Sequence, residues 1–214
     1  GTITPSRGSI DPIHAETLEN LSKKTDIFIL TGSDFPKTKE QIGGLTKIIK
    51  GCYQCVGNEL WVNDQLVETS PKFNMPKLML AWCKQKLAES KFPHRTGSKH
   101  IDLRPGMMNF SIIGRGCTQQ QREAYIQFDE EYNERQELAD EFNSMFHTYS
   151  AQIAGETGID IVEVGRDKGQ VFKPLELVYN SIMFFGDDTQ KGGNDYPFAK
   201  QLTGSPHRVF AVSD

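Results

Sequence analysis

The chain predicts an α/β fold, and three features of its 214 residues carry that expectation. Short apolar runs at 27–30 and 182–185 have the length of buried strands rather than helices. Each stops at small, hydroxyl or acidic residues, and helix-start signals alternate with them along the chain. The second run ends at Gly186-Asp187-Asp188, which puts a carboxylate pair where a strand would finish. Ligands of open α/β sheets collect beyond the carboxyl ends of the strands. Crowded carboxylates repel unless a cation lies between them, and hard oxygen donors without thiol or imidazole favour magnesium. A strand followed by an acidic surface turn is the alternative. Gly192-Gly193 and Asn194-Asp195 then turn the chain tightly around this polar centre.

Composition narrows the class. A length of 214 residues allows one large domain or two small ones, and 37% hydrophobic content can supply a core. A net charge of −4 and a pI near 5.8 argue against a nucleic-acid partner. No apolar run reaches the roughly 20 residues that span a bilayer, and no signal-peptide pattern is visible. No membrane partner is expected. Cys52, Cys55, Cys83 and Cys117 read as reduced thiols of a cytoplasmic protein, not as a disulfide framework. The pair Cys52-x-x-Cys55 has no second ligand pair to complete a metal site. The abrupt start at Gly1-Thr2-Ile3-Thr4 and the stop at Asp214 lead us to expect further residues beyond both termini, including a first strand.

Along the chain, Asp11-Pro12 starts a helix whose apolar face is Ile13, Ala15, Leu18 and Leu21, with Lys23-Lys24 at its end. The run at 27–30 leads into Thr31-Gly32-Ser33-Asp34, and Pro36 opens a helix to about Ile42. Strand, hydroxyl-bearing turn and helix is an arrangement that holds phosphate, although a plain turn has the same pattern. Leu60-Trp61-Val62 and Gln65-Leu66-Val67 flank Asn63-Asp64 as a hairpin. Ser, Pro and Lys at 69–76 suggest a linker, and Pro76 starts a helix over 77–87. Strands follow at 101–103 and 107–113. An acidic helix has its core face on Leu138, Ala139, Phe142, Met145 and Phe146, before strands at 159–164 and 209–212. Between these last two strands lie a turn at 165–169 containing Lys168, a helix near 171–179 and the run at 182–185.

Charge is lopsided in the middle. Residues 84–122 hold eight Lys or Arg against Glu89 and Asp102, whereas 123–141 hold eight acids against Arg135. Such blocks are usually solvated faces. Three arginines stand out from that reading. Arg104 and Arg115 follow strand-like segments, and a Thr118/Gln121 capping box puts Arg122 in the first turn of the next helix. A cation there opposes the helix dipole by roughly a few tenths of a kcal/mol. It makes sense beside an anion bound at the helix start, where guanidinium and N–H groups would converge. Salt bridges to the acidic helix are the alternative. A lysine such as Lys168 in its turn could neutralise a phosphate or a carboxylate.

Taken together, G-T-I-T, Arg7, T-G-S-D-F, R-P-G-M-M-N-F-S-I-I-G-R-G-C-T-Q-Q-Q-R, D-K and F-F-G-D-D-T-Q-K-G-G-N-D resemble the eukaryotic-type phosphomannomutases of the haloacid-dehalogenase superfamily. The resemblance spans nearly the whole chain in order, with the arginine segment as its most specific part. It implies a Rossmann-like haloacid-dehalogenase core at 1–68 and 166–214 with an inserted α/β cap at 69–165. By this resemblance Ser33 would hold the transferring phosphoryl group, and Lys168 would offset charge on nucleophile and phosphate. Asp187 would bind magnesium, and Arg104, Arg115 and Arg122 would grip the non-reacting phosphate. Arg7 would face the cap and Asp160 would contact a sugar hydroxyl. Only the Gly1-Thr2 end of the family's D-x-D-G-T motif is present, so its nucleophilic and acid/base aspartates would lie upstream of Gly1. Three departures stand out: Gly158 for a serine, Gly57-Asn58-Glu59 for E-N-G, and Gly97-Ser98-Lys99-His100 for R-G-T-F.

The function implied is an isomerase that interconverts mannose 6-phosphate and mannose 1-phosphate, in GDP-mannose biosynthesis. It would proceed through a phospho-aspartate and a hexose 1,6-bisphosphate, with Mg2+ as cofactor and the bisphosphate as activator. The arginine cluster is the part that favours a mutase, because a mutase must hold a second phosphate and exclude water. A sugar-phosphate phosphatase on the same core is the alternative, and a binding or regulatory relative without catalysis is a third reading. The family is typically dimeric through the cap, and the helix at 77–87 is a candidate homodimer surface or simply a buried helix.

Overall fold

The computed structural model describes residues 1–5, 8–93, 98–204 and 206–212. In chain order these form α1 (Pro12–Ser22), β1 (Phe28–Leu30), α2 (Phe35–Ile42), β2 (Gly51–Gln54), β3 (Glu59–Val62), β4 (Gln65–Thr69), α3 (Lys77–Glu89), β5 (Ile101–Arg104), β6 (Met107–Phe110) and α4 (Gln119–Tyr132). There follow α5 (Glu134–Met145), β7 (Tyr149–Ala154), β8 (Gly158–Glu163), α6 (Phe172–Glu176), β9 (Met183–Gly186), α7 (Tyr196–Ala199) and β10 (Arg208–Ala211). The chain divides into two compact units, Gly1–Ser70 with Gly165–Asp214, and Pro71–Val164.

In the first unit β1-β2-β3-β4 form one sheet and β10-β9 a separate parallel pair. β1 runs parallel to β2, and β2-β3-β4 are antiparallel. Asp11 caps α1 through Ile13 N at 2.8 Å, and Asp34 caps α2 through Lys37 N at 3.1 Å. Asn63 and Asp64 take φ of 51° and 63°, the left-handed pair that a two-residue hairpin turn requires. Asp64 locks that turn by accepting from Lys39 Nζ at 2.6 Å and Thr46 Oγ1 at 2.6 Å. Phe35 stacks on Trp61 with centroids 4.1 Å apart. A second apolar cluster joins Phe28, Leu30 and Tyr53 of the larger sheet to Phe184 of β9, Val171, Leu175 and Phe198.

Two sequence expectations need correction in this unit. The run 182–185 is not a fully buried strand, because Met183 and Phe185 are exposed while Phe184 packs inward. Only one face of β9 meets the apolar cluster, and Phe185 instead stacks on Phe210 across the outer face at 4.8 Å. Likewise, α1 rests on its cluster through Ala15 and Leu18 alone, leaving Ile13 and Leu21 exposed. Strand β2 escapes the pattern search because Gly51-Cys52-Tyr53-Gln54 is short and mixed. It is wholly buried between β1 and β3.

The second unit is one antiparallel sheet, β5-β6-β8-β7. Alternating side chains give it two unlike faces. On one face Leu103, Met108, Ile161 and Ala151 align across the strands, and with Phe110 and Ile159 they meet Met79, Trp82 and Cys83 of α3, Tyr125 of α4 and Phe142 of α5. Met145 lies outside this core, exposed at the end of α5, because the next residue, Phe146, turns inward instead. Edge strand β7 is tied to α5 through Asn143, which donates to Ala151 O at 3.0 Å and accepts from Ala151 N at 2.8 Å. No described helix is long and apolar enough to cross a membrane.

Candidate functional site

On the opposite face of the second unit's sheet a polar row runs beside the buried pair Met107 and Val162. Asp102, Asn109, Asp160 and Gln152 align in register across β5, β6, β8 and β7. Asn109 Nδ2 donates to Asp160 Oδ1 at 2.8 Å. Asp102 is buried, yet three cations converge on its carboxylate: Lys99 Nζ at 2.5 Å, Arg104 Nε at 2.8 Å and Arg115 Nη2 at 2.9 Å. Burial pushes this carboxyl up, but Lys99 and Arg104 outweigh burial and hold it below the usual carboxylate range.

Arg122 is reached through neighbouring contacts. The capping box forms as read, with Thr118 Oγ1 accepting from Gln121 N and Gln121 Oε1 accepting from Thr118 N at 2.9 Å. That fixes the first turn of α4 and directs Arg122 inward. Its Nε donates to Glu156 Oε2 at 2.6 Å and its Nη1 to Thr157 Oγ1 at 3.3 Å. Ser111 Oγ, just past β6, donates to Thr157 O at 2.6 Å. The acidic helices do not leave their own arginine waiting, since Asp129 takes Arg135 Nε at 2.7 Å. Gly158 has a local reason. A Cβ there would lie 3.0 Å from both Asn109 Nδ2 and Phe110 O, so a serine would crowd the row.

In the first unit Asp187 follows β9 and accepts from Thr2 Oγ1 at 2.7 Å. A Cβ on Gly1 would come within 3.0 Å of Asp187 Oδ2, so the chain start lies against this carboxylate. Its neighbour Asp188 is turned into the loop, accepting from Asn194 N at 3.0 Å. A Cβ on Gly193 would clash with the Asp188 carboxylate, which is why the loop carries glycine there. Lys168 is buried and donates to Asp195 Oδ1 at 2.6 Å and Asn194 Oδ1 at 2.7 Å. Asp195 closes the circuit, its N donating to Asp188 O at 3.1 Å. Ser33 stands in the turn after β1, its N–H donating to Thr31 Oγ1 at 3.1 Å and its carbonyl accepting from Cys55 N at 2.9 Å.

The structure thus brings Lys168 and Asp188 into one hydrogen-bonded loop, with Asp187 beside it held by Thr2, and Arg104 and Arg115 onto one carboxylate. Ser33 lies at the end of a different sheet from the one Asp187 follows. Arg7 falls outside the described residues. Sequence reasoning missed Asp102 as a hub and Asp195 as the partner of Lys168. The alternation Ile101-Asp102-Leu103-Arg104, polar on one side only, was the available signal for the first. Burial pushes the Cys52 and Cys83 thiols up to about 12, so neither is a nucleophile near neutral pH. Among the described residues no group of three or more His, Cys, Asp or Glu is placed to hold a metal ion.

The chain has relatives among the phosphomannomutases. The chain is 33% identical over 210 residues to phosphomannomutase 1 of Dictyostelium discoideum, covering 93% of this chain and 83% of that one. It is 29% identical over 217 residues to a probable phosphomannomutase of Caenorhabditis elegans, covering 95% and 85%. Among solved structures it superposes on a haloacid dehalogenase-like hydrolase from Bacteroides thetaiotaomicron with a TM-score of 0.55 at 13% identity, covering 92% and 81%. The fold is therefore the α/β fold of the haloacid-dehalogenase type, with its Rossmann-like core. The family model for eukaryotic phosphomannomutase matches residues 14–214, and the chain belongs to that family of enzymes.

Proposed function

We propose that this chain interconverts mannose 6-phosphate and mannose 1-phosphate, with the first unit as catalytic core and the second as substrate-binding cap. The observation that carries the reading is the set of guanidinium groups in the second unit, two of which meet at Asp102. Arg104 and Arg115 share one buried carboxylate, and Arg122 is held inward a few contacts away. Phosphoryl transfer asks a protein mainly for positioning and charge neutralisation. A mutase must in addition hold the phosphate that is not reacting, and these arginines supply donors for it.

In the core, Lys168 would offset the charge of the arriving phosphate, and Ser33 would donate its hydroxyl to the phosphoryl oxygens. The loop network around Asp195 fixes the lysine in place so that little reorganisation accompanies transfer. The nucleophile of the proposal is an aspartate ahead of Gly1, returning the group through a hexose 1,6-bisphosphate that also serves as activator. Asp187 offers an oxygen donor of the kind magnesium takes, and one or two carboxylates with phosphate oxygens and water are its usual complement. Magnesium bound there would supply Lewis-acid neutralisation of the phosphate charge. Asp160 and Asn109, joined at 2.8 Å, would meet sugar hydroxyls, and Arg7 would be a further substrate contact. We further place the enzyme in the cytoplasm, supported by four free cysteines, and as a homodimer through the cap, where α3 exposes Leu78.

The test is a coupled assay on the full-length natural protein with mannose 1-phosphate and glucose 1-phosphate compared, and inorganic phosphate followed in parallel. Isomerisation that outpaces phosphate release supports the proposal. Steady phosphate release without isomerisation would identify a phosphatase.

A further inference from the structure

The turn that joins β2 to β3 is held in a conformation its own side chains disfavour. Cys55 and Val56 take φ of 51° and 55°, successive left-handed residues of which the second is β-branched. That region is uncommon outside glycine, and for valine it is a marked outlier. Such a backbone persists only where its surroundings over-determine it, and it clusters at functional sites. Here the backbone groups of both residues are engaged. Cys55 N donates to Ser33 O and Val56 N to Thr31 O, both at 2.9 Å. Cys55 O accepts from Asn58 Nδ2 at 2.9 Å, and Val56 O from Gln170 Nε2 at 3.0 Å.

The two amides reach this turn from different places. Asn58 follows it directly, and its Oδ1 accepts from Ser70 Oγ at 3.0 Å. Gln170 lies in the short helical turn Lys168–Val171, two residues past Lys168. Its Nε2 also donates to Arg166 O at 2.9 Å, so two carbonyls hold the same end of one amide. Gly57 lets the two segments approach: it has φ 96°, and a Cβ there would collide with Val171 Cγ2. The contacts therefore run in series from Ser33 O, through Cys55 and Val56, to Gln170 and the turn that presents Lys168. Strain makes this series responsive. Without the Gln170 contact the left-handed pair can relax toward ordinary φ, and its N–H groups then turn away from Thr31 and Ser33.

We propose that Gln170 is a positioning residue for phosphoryl transfer: through the strained Cys55-Val56 turn it sets Ser33 in register with Lys168. This rests on the core reading above, which gives both groups to the transferring phosphoryl. Gln170 itself touches no substrate. Phosphoryl transfer asks mainly for placement, and a misplacement of about 1 Å can cost about 100-fold.

The experiment measures kcat and KM on the full-length natural protein, for mannose 1-phosphate isomerisation and for hydrolysis of a small aromatic phosphate ester. The variants are Gln170→Met, Ser33→Ala and the two combined, with thermal melts alongside. Gln170 is partly exposed, so Gln170→Met should keep the fold. It should lower kcat about tenfold in both reactions, because the proposed core carries both, with KM held within about twofold. The double variant should lose little more than Ser33→Ala alone, since a residue acting through Ser33 then has nothing left to position. A lower thermal midpoint for Gln170→Met with kcat unchanged would assign Gln170 to stability and overturn the proposal. Losses that multiply in the double variant would overturn it as well. If Ser33→Ala lowers kcat and Gln170→Met does not, the proposal falls while the core reading survives. If Ser33→Ala slows neither reaction, the core reading falls with it.

Discussion

The two units solve opposite charge problems with mirrored hubs. In the first, one buried cation, Lys168, is held by two acceptors from a single loop, Asn194 and Asp195. In the second, one buried anion, Asp102, is held by three cations from two segments. The first hub is closed: its charges cancel, and its role is to lock the loop that carries Asp187 and Asp188. The second gathers three cations on one carboxylate within the polar row that crosses its sheet. Mutating the closed hub should change stability as well as the proposed transfer. The second-unit hub should respond in what the protein binds.

The largest stability effect should therefore come from the closed hub. Replacing Lys168 by Met leaves Asp195, 4% exposed, without its countercharge. Breaking a buried pair from one side costs about 3–5 kcal/mol, and urea unfolding should show it. A loss below about 1 kcal/mol would mean that the loop relaxes and that the hub is not closed.

Asp102→Asn comes next. It should cost about 2 kcal/mol, less than the full penalty, since Lys99 and Arg115 can turn to water. It should also change the response to acid. The folded carboxyl titrates below its unfolded value, so its stabilisation is present above that value and fades as pH falls through the folded one. Acid titration of the wild type should show loss of second-unit structure below about pH 4, with the share due to Asp102 missing from the variant. An unchanged acid profile would show that the three cations contribute no net stabilisation. The smallest effect should be Thr118→Ala, which removes one side of the capping box at α4 and costs about 1 kcal/mol in the same unfolding measurement.

What was legible in the sequence was mostly local. Asp11, Pro36, the Asn63-Asp64 turn and the Thr118/Gln121 box each act within a few residues, and each forms as read. The strands β2 and β7 were not legible, because their identity depends on neighbours distant in sequence. Tyr149–Ala154 mixes small and polar residues and becomes a strand by pairing with β8 and accepting the Asn143 clamp. The hubs lie at the same level. Lys168 and Asp195 are 27 residues apart, and nothing in either segment alone selects the other. The arginines stood out by breaking a local rule, as Arg122 does at a helix start, whereas Asp102 obeyed one and went unnoticed.

The central claim is that the guanidinium face serves the phosphate that does not react. Arg122→Ala, assayed on the full-length protein for both mannose phosphate isomerisation and hydrolysis of a small aromatic phosphate ester, tests it most directly. The account predicts a fall of about 100-fold or more in isomerisation with ester hydrolysis held within about threefold, since the small ester has no second phosphate to lose. Equal losses in the two assays would contradict it.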